Sequence, residues 1–414
     1  MRVIAVRATV AAVPMDRPFG HAAAHRDRTA SVLLEVCTEN ATGWGEAAPR
    51  PYVTGETVQT VAGQLGRLDP ESLGRLIGPG SFEERIARLA RTAGAPLGRL
   101  LDPAAPAPSA AAALELALLD LVCRSHGRPL HDVLGLLGLP PGTLRDAPGP
   151  VVPSEVVDLA HDPGEVLASL RPPARAALRH VKVKVGADLG AALRRALAAR
   201  AASPHTTLSL DANAAWDPGE AIRAAGALRA AGVDWVEEPF APRDWAALRR
   251  LAGTGLGVML DESFRDEADL RLAVELRAAT HVNVRISKCG GLIASARLAA
   301  LARSAGLGCQ LGVQVGEVGP LWAAGRTLGC ALAGLRAAET GRQDEWFREP
   351  LTVPAFAVDR HAQTAHPLPG PGCGVVPSAR LLRDVPHAAI TSVTATATAV
   401  TTGPASTARE EEIV

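Results

Sequence analysis

Hydrophobic and polar positions follow two alternating periods through the middle of this chain. Between residues 180 and 288, short apolar runs rich in Val and Leu alternate with Ala/Leu/Arg-rich segments that have the spacing of amphipathic helices. Each apolar run closes on a polar motif, and successive motifs are 24 to 27 residues apart. The motifs are Lys182-Val183-Lys184, Asp211-Ala212-Asn213, Glu237-Glu238-Pro239, Asp261-Glu262-Ser263 and Asn283-Val284-Arg285. This spacing is typical of repeated strand–helix units.

Consecutive strand–helix units of this length predict a parallel sheet, and their number favours a closed α/β barrel. A run at 151–157 is the predicted first strand, the segment 306–320 supplies the seventh, and the segment 334–339 supplies the eighth. One interior helix is predicted to begin at Asp217-Pro218, an N-cap followed by proline at the first helical position. In such a barrel the carboxyl ends of the strands share one mouth, so the polar motifs should converge there.

Convergence of these motifs would place three carboxylates, Asp211, Glu237 and Asp261, on three consecutive strand ends. Such an all-oxygen set suits a hard cation, Mg²⁺ or alternatively Mn²⁺. A Lys-x-Lys pair can also be a solvated strand face, and an acid at a strand end can cap the following helix. The ordered recurrence of these residues in phase with the strand–helix period favours a metal site over both alternatives.

Composition excludes several other classes of function. The 414 residues are 47% hydrophobic, and 43 basic side chains balance 43 acidic ones, so no basic stripe points to nucleic acid. The six cysteines lack metal-binding spacing, no leader peptide is evident, and no apolar run reaches the ~18 residues of a membrane span. We therefore expect a cytoplasmic enzyme without a membrane or nucleic-acid partner.

Taken together, these motifs resemble the enolase superfamily from Met1 to about Arg383. The similarity is to the muconate-lactonizing-enzyme subgroup, which includes cycloisomerases, o-succinylbenzoate synthases, dipeptide epimerases and N-acylamino acid racemases. The segments GWGEAAPRPYVTGET at 43–57, NVRISKCGG at 283–291 and PGPGCGVV at 369–376 also fit it. The resemblance implies an α/β fold: a (β/α) barrel at 129–349 behind an N-terminal α+β capping domain at 1–128. Residues 350–383 would pack back on the cap, and the Thr/Ala-rich tail at 384–414 is predicted to be disordered.

The resemblance also implies the chemistry. In the family, Mg²⁺ binds a substrate carboxylate and a base removes the neighbouring α-proton. Asp211, Glu237 and Asp261 match the metal ligands, and Lys184 matches the base. Lys182 matches the neighbour that keeps this base partly deprotonated, since two ammonium groups beside a cation disfavour each other. A small-molecule carboxylate is the implied substrate, and a homo-oligomer is the implied assembly.

One position departs from the family pattern. The epimerases and racemases of the subgroup use a lysine on the sixth strand, where this chain has Arg285. Arginine stays protonated in proteins and is a poor base, although it can pair with an anion. Lys288 lies at an odd offset from Arg285 and is interpreted as structural. One-base lyase, cycloisomerase or dehydratase chemistry is therefore predicted; the alternatives are a racemase or epimerase of an amino-acid derivative or dipeptide, and a barrel that binds a carboxylate without turnover.

Substrate contacts are predicted around this centre and on two cap loops. In the family these loops close over the barrel mouth and meet the distal end of the substrate. Glu317 occupies a strand-seven loop position where the family often has an acid, with Gln314 as the competing candidate. The candidate substrate-binding residues are Asn213, Asn283, Tyr52, His21, His25, Arg26, Glu317 and Lys288.

Overall fold

The computed structural model describes residues 1–21, 24–339, 346–356, 358–359, 361–383 and 390–394. Side chains are described throughout these ranges except at 17–19, 21, 24–26, 383 and 390–394. Within them no helix is long and apolar enough to cross a membrane.

The N-terminal part is an α+β domain in which helices cover one antiparallel sheet. Its strands are β1 (Ala5–Ala11), β2 (Pro14–His21), β3 (Ala24–Arg28), β4 (Ser31–Cys37) and β5 (Thr42–Ala47). Its helices are α1 (Val58–Leu65), α2 (Pro70–Ile77), α3 (Phe82–Thr92), α4 (Ala95–Leu101), α5 (Pro108–Ser125) and α6 (His131–Gly135). Gly43 and Gly45 on β5 let α5 pack directly on the sheet, because a Cβ there would lie 2.1 and 1.9 Å from the carbonyl oxygens of Ala117 and Ala113.

The rest of the chain is built from strand–helix units. In order they are β6 (Glu155–Val157), α7 (Pro163–Ser169), α8 (Pro172–Ala177), β7 (His180–Lys184), α9 (Leu189–Ala202), β8 (Thr207–Asp211), α10 (Pro218–Ala230), β9 (Trp235–Glu237), α11 (Trp245–Ala252), β10 (Gly257–Leu260), α12 (Glu267–Leu276), β11 (His281–Val284), α13 (Ile286–Cys289), α14 (Leu292–Ser304), β12 (Gly308–Leu311), α15 (Pro320–Ala331) and β13 (Ala337–Ala338). They are followed by β14 (Thr352–Val353), β15 (Val376–Pro377), α16 (Ala379–Arg383) and β16 (Ile390–Thr394).

The strands β6 to β13 form one parallel eight-stranded sheet in sequential order. The sheet curls on itself, because the backbone N–H of Ser154, beside β6, donates to the carbonyl oxygen of Ala338 in β13 at 2.7 Å. The fold class predicted from the sequence, an α/β barrel of the enolase type with an α+β cap, is confirmed. The register aligns Lys184 with Asp211 and Asp211 with Glu237, which sets these three residues side by side at the mouth.

Aspartates begin most of the barrel helices. Asp162, Asp188, Asp217, Asp244 and Asp266 each accept a backbone N–H from the first turn of the helix that follows. The predicted helix start at Asp217-Pro218 is confirmed. The N-caps are thus residues other than Asp211 and Asp261, which leaves those two carboxylates available to the barrel mouth.

The C-terminal segment returns to the cap. The guanidinium of Arg124 on α5 donates to the carbonyl oxygen of Val375 at 2.7 Å, and the backbone N–H of Cys373 donates to the Asp120 carboxylate at 2.6 Å. Within the part of the tail that the structure describes, residues 390–394, the sequence prediction is not met. Residues 390–394, expected to be without structure, pair with β1 as an edge strand, because that edge of the sheet offers free backbone groups.

Candidate active site

Two lysines from β7 lie among carboxylates at the barrel mouth. The Nζ of Lys184 is 2.6 Å from the Asp211 Oδ2 and 2.9 Å from the Asn213 Oδ1. The Nζ of Lys182 is 2.7 Å from Glu237 Oε2 and 3.4 Å from Asp211 Oδ2. Both lysines face the barrel interior because they are two residues apart on one strand. The predicted lysine pair and carboxylates therefore come together.

Burial and the neighbouring charges shift the pKa values of this site in opposite directions. Burial opposes charge on Asp211, but Lys184 and Lys182 hold the pKa of that carboxyl below its usual value. For Glu237 burial wins and raises the pKa to about 7. Burial also disfavours the Lys182 ammonium, yet Glu237 and the other acids around it raise the pKa of Lys182 well above its usual value. In this structure Lys182 is therefore a fixed positive charge beside the predicted base.

Arg285 and Lys288 both contact Asp261 from different sides. The Arg285 guanidinium meets Asp261 Oδ2 and lies 3.6 Å from Glu237 Oε1. The Lys288 ammonium donates to Asp261 Oδ1 at 2.8 Å and to the carbonyl oxygens of Asp261 and Asn283, each at 2.7 Å. Burial opposes the charge of Arg285, but Asp261 and the neighbouring acids raise its pKa further. Arg285 thus stays a cation, and the fully buried Lys288 braces the β10 and β11 ends, in line with its structural interpretation.

Three further interior residues join this cluster, and the sequence marks only Glu339 among them, as an outlying candidate for substrate contact. Glu339, at the end of β13, has its Oε1 2.5 Å from the Lys182 Nζ. Gln310 on β12 donates to Glu237 at 3.3 Å and to Glu339 at 3.4 Å. Glu262 accepts from the side-chain amide of Asn213, with Oε1 and Nδ2 3.5 Å apart. Burial raises the pKa of Glu262 well above its usual value, and repulsion from Asp261 adds to the shift. For Glu339 the signal was its place at the end of the eighth predicted strand.

Of the other predicted substrate contacts, some lie at the barrel mouth and others lie on the cap. Asn283 donates to Glu237 Oε1 at 2.8 Å, which ties the sixth strand to a carboxylate of the site. The side chain of Gln314 accepts from Arg285 at 3.3 Å, and its backbone N–H donates to Glu317 at 2.7 Å, so the two competing candidates contact each other and Gln314 contacts Arg285. Tyr52 is 38% exposed on its cap loop. The side chains of His21, His25 and Arg26 lie outside the described residues, and their backbone forms the β2–β3 hairpin.

Arg50 joins the cap to the barrel. Its guanidinium donates to the carbonyl oxygens of Ala30 at 3.0 Å and of Pro49 at 2.6 Å, and it contacts that of Val315 on the loop after β12. Arg50 is 1% exposed. Its charge therefore serves the interface between the two domains.

The mouth is rich in carboxyl groups, the donors that a divalent cation such as Mg²⁺ prefers. Six of them share this buried cluster with four cationic side chains of the described residues. The cations are Lys182, Lys184, Arg285 and Lys288, and the acids are Asp211, Glu237, Glu238, Asp261, Glu262 and Glu339. Among the described residues no three His, Cys, Asp or Glu side chains converge as a finished metal cage. The three predicted ligands are instead turned toward the lysines and Arg285, and their chemistry and charge suit Mg²⁺.

Comparison with known proteins agrees with this architecture. Residues 4–135 match the mandelate racemase / muconate lactonizing enzyme N-terminal domain, and residues 166–381 match the enolase C-terminal domain-like family. The chain belongs to the enolase superfamily. Epimerases, racemases and cycloisomerases of this superfamily are among its matches, so the protein is an enzyme of the isomerase or lyase class.

Individual relatives of this superfamily indicate which subgroup it resembles. An aromatic dipeptide epimerase from Herpetosiphon aurantiacus is 30% identical over 76% of this chain and 83% of its own length. The fold matches a dipeptide epimerase from Enterococcus faecalis, complexed with Mg and the dipeptide L-Leu-L-Tyr, with a TM-score of 0.72 at 23% identity, over 91% of this chain and 99% of that one. It matches a muconate lactonizing enzyme from Pseudomonas fluorescens with a TM-score of 0.75 at 22% identity, over 92% and 98%. The dipeptide epimerases and the racemase among the sequence relatives support the racemase or epimerase alternative better than the one-base outcome predicted first.

Proposed function

We propose that this enzyme removes the proton α to the carboxylate of a dipeptide or another amino-acid derivative, with Lys184 as the base. The observation that carries the proposal is the position of Lys184 at the barrel mouth. Its ammonium contacts Asp211, and the strand register sets Lys184, Asp211 and Glu237 side by side. The dipeptide class is taken from the relatives, several of which are dipeptide epimerases.

Each residue of the site has a part in this chemistry. Asp211, Glu237 and Asp261 would hold Mg²⁺, which supplies a Lewis acid for the substrate carboxylate. Lys184 takes the α-proton as the neutral amine, and Asn213 orients this amine by accepting a hydrogen bond from it. Lys182 adds a fixed positive charge beside the carboxylate of the substrate, where negative charge develops as the proton leaves. The homo-oligomeric state implied by the family resemblance stays a prediction.

Epimerisation is the outcome that the relatives favour, and it needs a proton donor on the face opposite Lys184. A second candidate outcome rests on Arg285. Its guanidinium lies on the sixth strand, where the epimerases of the subgroup carry lysine, and it is a poor proton carrier. One-sided chemistry such as elimination or ring closure would then follow, with Arg285 pairing with an anionic group.

Proton exchange in D₂O with Mg²⁺ tests the proposal. We expect solvent deuterium to enter the α position of a dipeptide or N-acyl amino acid, and Lys184→Met to slow this by about 10²- to 10⁴-fold while divalent-cation binding persists. Deuterium with inversion would support epimerisation, and deuterium with retention, or elimination, would support one-sided chemistry. Unchanged exchange in Lys184→Met would refute the assignment of the base.

A further inference from the structure

Arg285 is a cation of the chain itself that lies among the predicted metal ligands. Its guanidinium contacts Asp261 Oδ2, and the same nitrogen lies 3.6 Å from Glu237 Oε1. The other terminal nitrogen donates to Gln314 Oε1 at 3.3 Å. The side chain is 10% exposed, so these contacts are screened little by solvent. One planar group thus approaches two of the three ligand carboxylates.

We propose that Arg285 is an internal counter-cation: it holds Asp261 and Glu237 together in the metal-free enzyme and competes with the divalent cation for Asp261. The inference rests on the metal site of the proposed function. Buried carboxylates at adjacent strand ends repel one another unless a positive charge lies between them. One terminal nitrogen of the guanidinium approaches both carboxylates while the other donates to Gln314. A lysine side chain is one atom shorter, so its ammonium would lie farther from Asp261 at the same position.

The chain makes room for this arrangement at Gly312. A Cβ at that position would lie 2.4 Å from Asn283 Oδ1 and 3.0 Å from Arg285 Nε. Any side chain there would push the guanidinium or the Asn283 amide out of place. The space beside β12 is therefore matched to an arginine on β11.

Asp261 contacts two cations, Lys288 and Arg285, and a metal ion needs to displace only one of them. Lys288 keeps Oδ1 by a 2.8 Å contact and is fully buried, so it fixes the carboxylate in place. Arg285 contacts Oδ2, and its side chain is the more exposed of the two. Metal loading would therefore displace Arg285 from Oδ2, and the freed guanidinium would become available to an anionic group of the substrate.

Titration of metal-stripped protein with Mn²⁺, followed by calorimetry, tests this inference in wild type, Arg285→Met and Arg285→Lys. We expect both variants to bind Mn²⁺ more tightly than wild type, by about tenfold or more for Arg285→Met, because a competing cation has been removed. Arg285→Lys keeps the positive charge on a side chain one atom shorter, which places the charge farther from both carboxylates, so it should also gain several-fold. Arg271→Met removes an exposed arginine from α12 and should leave the affinity unchanged.

Thermal unfolding of the same proteins gives a second readout. Arg285→Met should lower the Tm of the stripped protein more than that of the Mn²⁺-loaded protein, since the counter-cation acts only without the metal. Equal affinity in all three proteins would overturn the inference while leaving the metal site intact. A gain in Arg285→Met with none in Arg285→Lys would overturn it too, since net charge alone would then explain the effect. If none of the proteins binds Mn²⁺, the metal site itself is refuted, and the inference falls with it.

Discussion

Replacement of Glu46 by alanine should be among the most damaging single changes outside the barrel mouth. Glu46 lies on β5 of the cap and is fully buried. Its carboxylate accepts the backbone N–H groups of Val318 at 2.7 Å, Gly319 at 3.0 Å and Leu321 at 3.1 Å. These groups belong to the start of α15, whose N-cap Gly319 has no side chain to offer. A residue of one domain therefore caps a helix of the other.

The size of the effect follows from those three hydrogen bonds. Each buried N–H left without an acceptor costs about 1–3 kcal/mol, and water entering the vacated space recovers part of that cost. We therefore expect Glu46→Ala to lower the free energy of unfolding by about 3–6 kcal/mol. Glu35→Ala is the matched control, since Glu35 lies on the neighbouring strand β4 and pairs with the exposed Arg7. Such a surface pair is worth about 0–1 kcal/mol.

Urea denaturation followed by circular dichroism measures both variants against wild type. A loss in Glu46→Ala no larger than that in Glu35→Ala would refute the reasoning. It would mean that the backbone N–H groups at the start of α15 find other acceptors when Glu46 is removed. An intermediate loss in Glu46→Gln is expected, because the amide keeps one acceptor oxygen and turns an NH₂ group toward the remaining donors.

Further changes test other buried contacts of the structure. Gly291→Ala should lower the free energy of unfolding by at least about 2 kcal/mol, since residue 291 has φ +132° and the new Cβ would lie 2.3 Å from Glu115 Oε1. The control is Gly226→Ala, which lies in open space on a helix and should be neutral or slightly stabilising by the same measurement. Burial raises the pKa of Glu115 to about 8, above its unfolded value, so stability should fall by a few kcal/mol as pH rises from about 5 to 8. Glu115→Gln should flatten that part of the profile, and an unchanged difference between the two proteins across this range would contradict the shift. Lys288→Met should destabilise by about 3–5 kcal/mol in thermal or urea unfolding, because Asp261 loses one of its two buried cations and the carbonyl oxygens of Asp261 and Asn283 lose their buried donor. A loss under about 1 kcal/mol would contradict the bracing role of Lys288.

The sequence by itself determined the strand–helix order and the positions of the polar motifs. The period of two along a strand places Lys182 and Lys184 on one face. The period of the units then brings Asp211, Glu237 and Asp261 to one end of the sheet. These are local rules, because each depends on residues close in the chain. The sequence also determined that position 285 carries a permanent positive charge, since this follows from the residue type alone.

Only the tertiary structure decided which charges meet across the barrel. Glu339 lies 157 residues after Lys182 in the chain, yet the two are 2.5 Å apart, because curvature and register summed over the whole sheet bring the eighth strand back to the second. The same holds for Glu46, which caps a helix of the other domain. Sequence spacing predicts along which strand and face a side chain lies. The partner across the sheet or between domains depends on how all the elements close around one core, and no short segment carries that information.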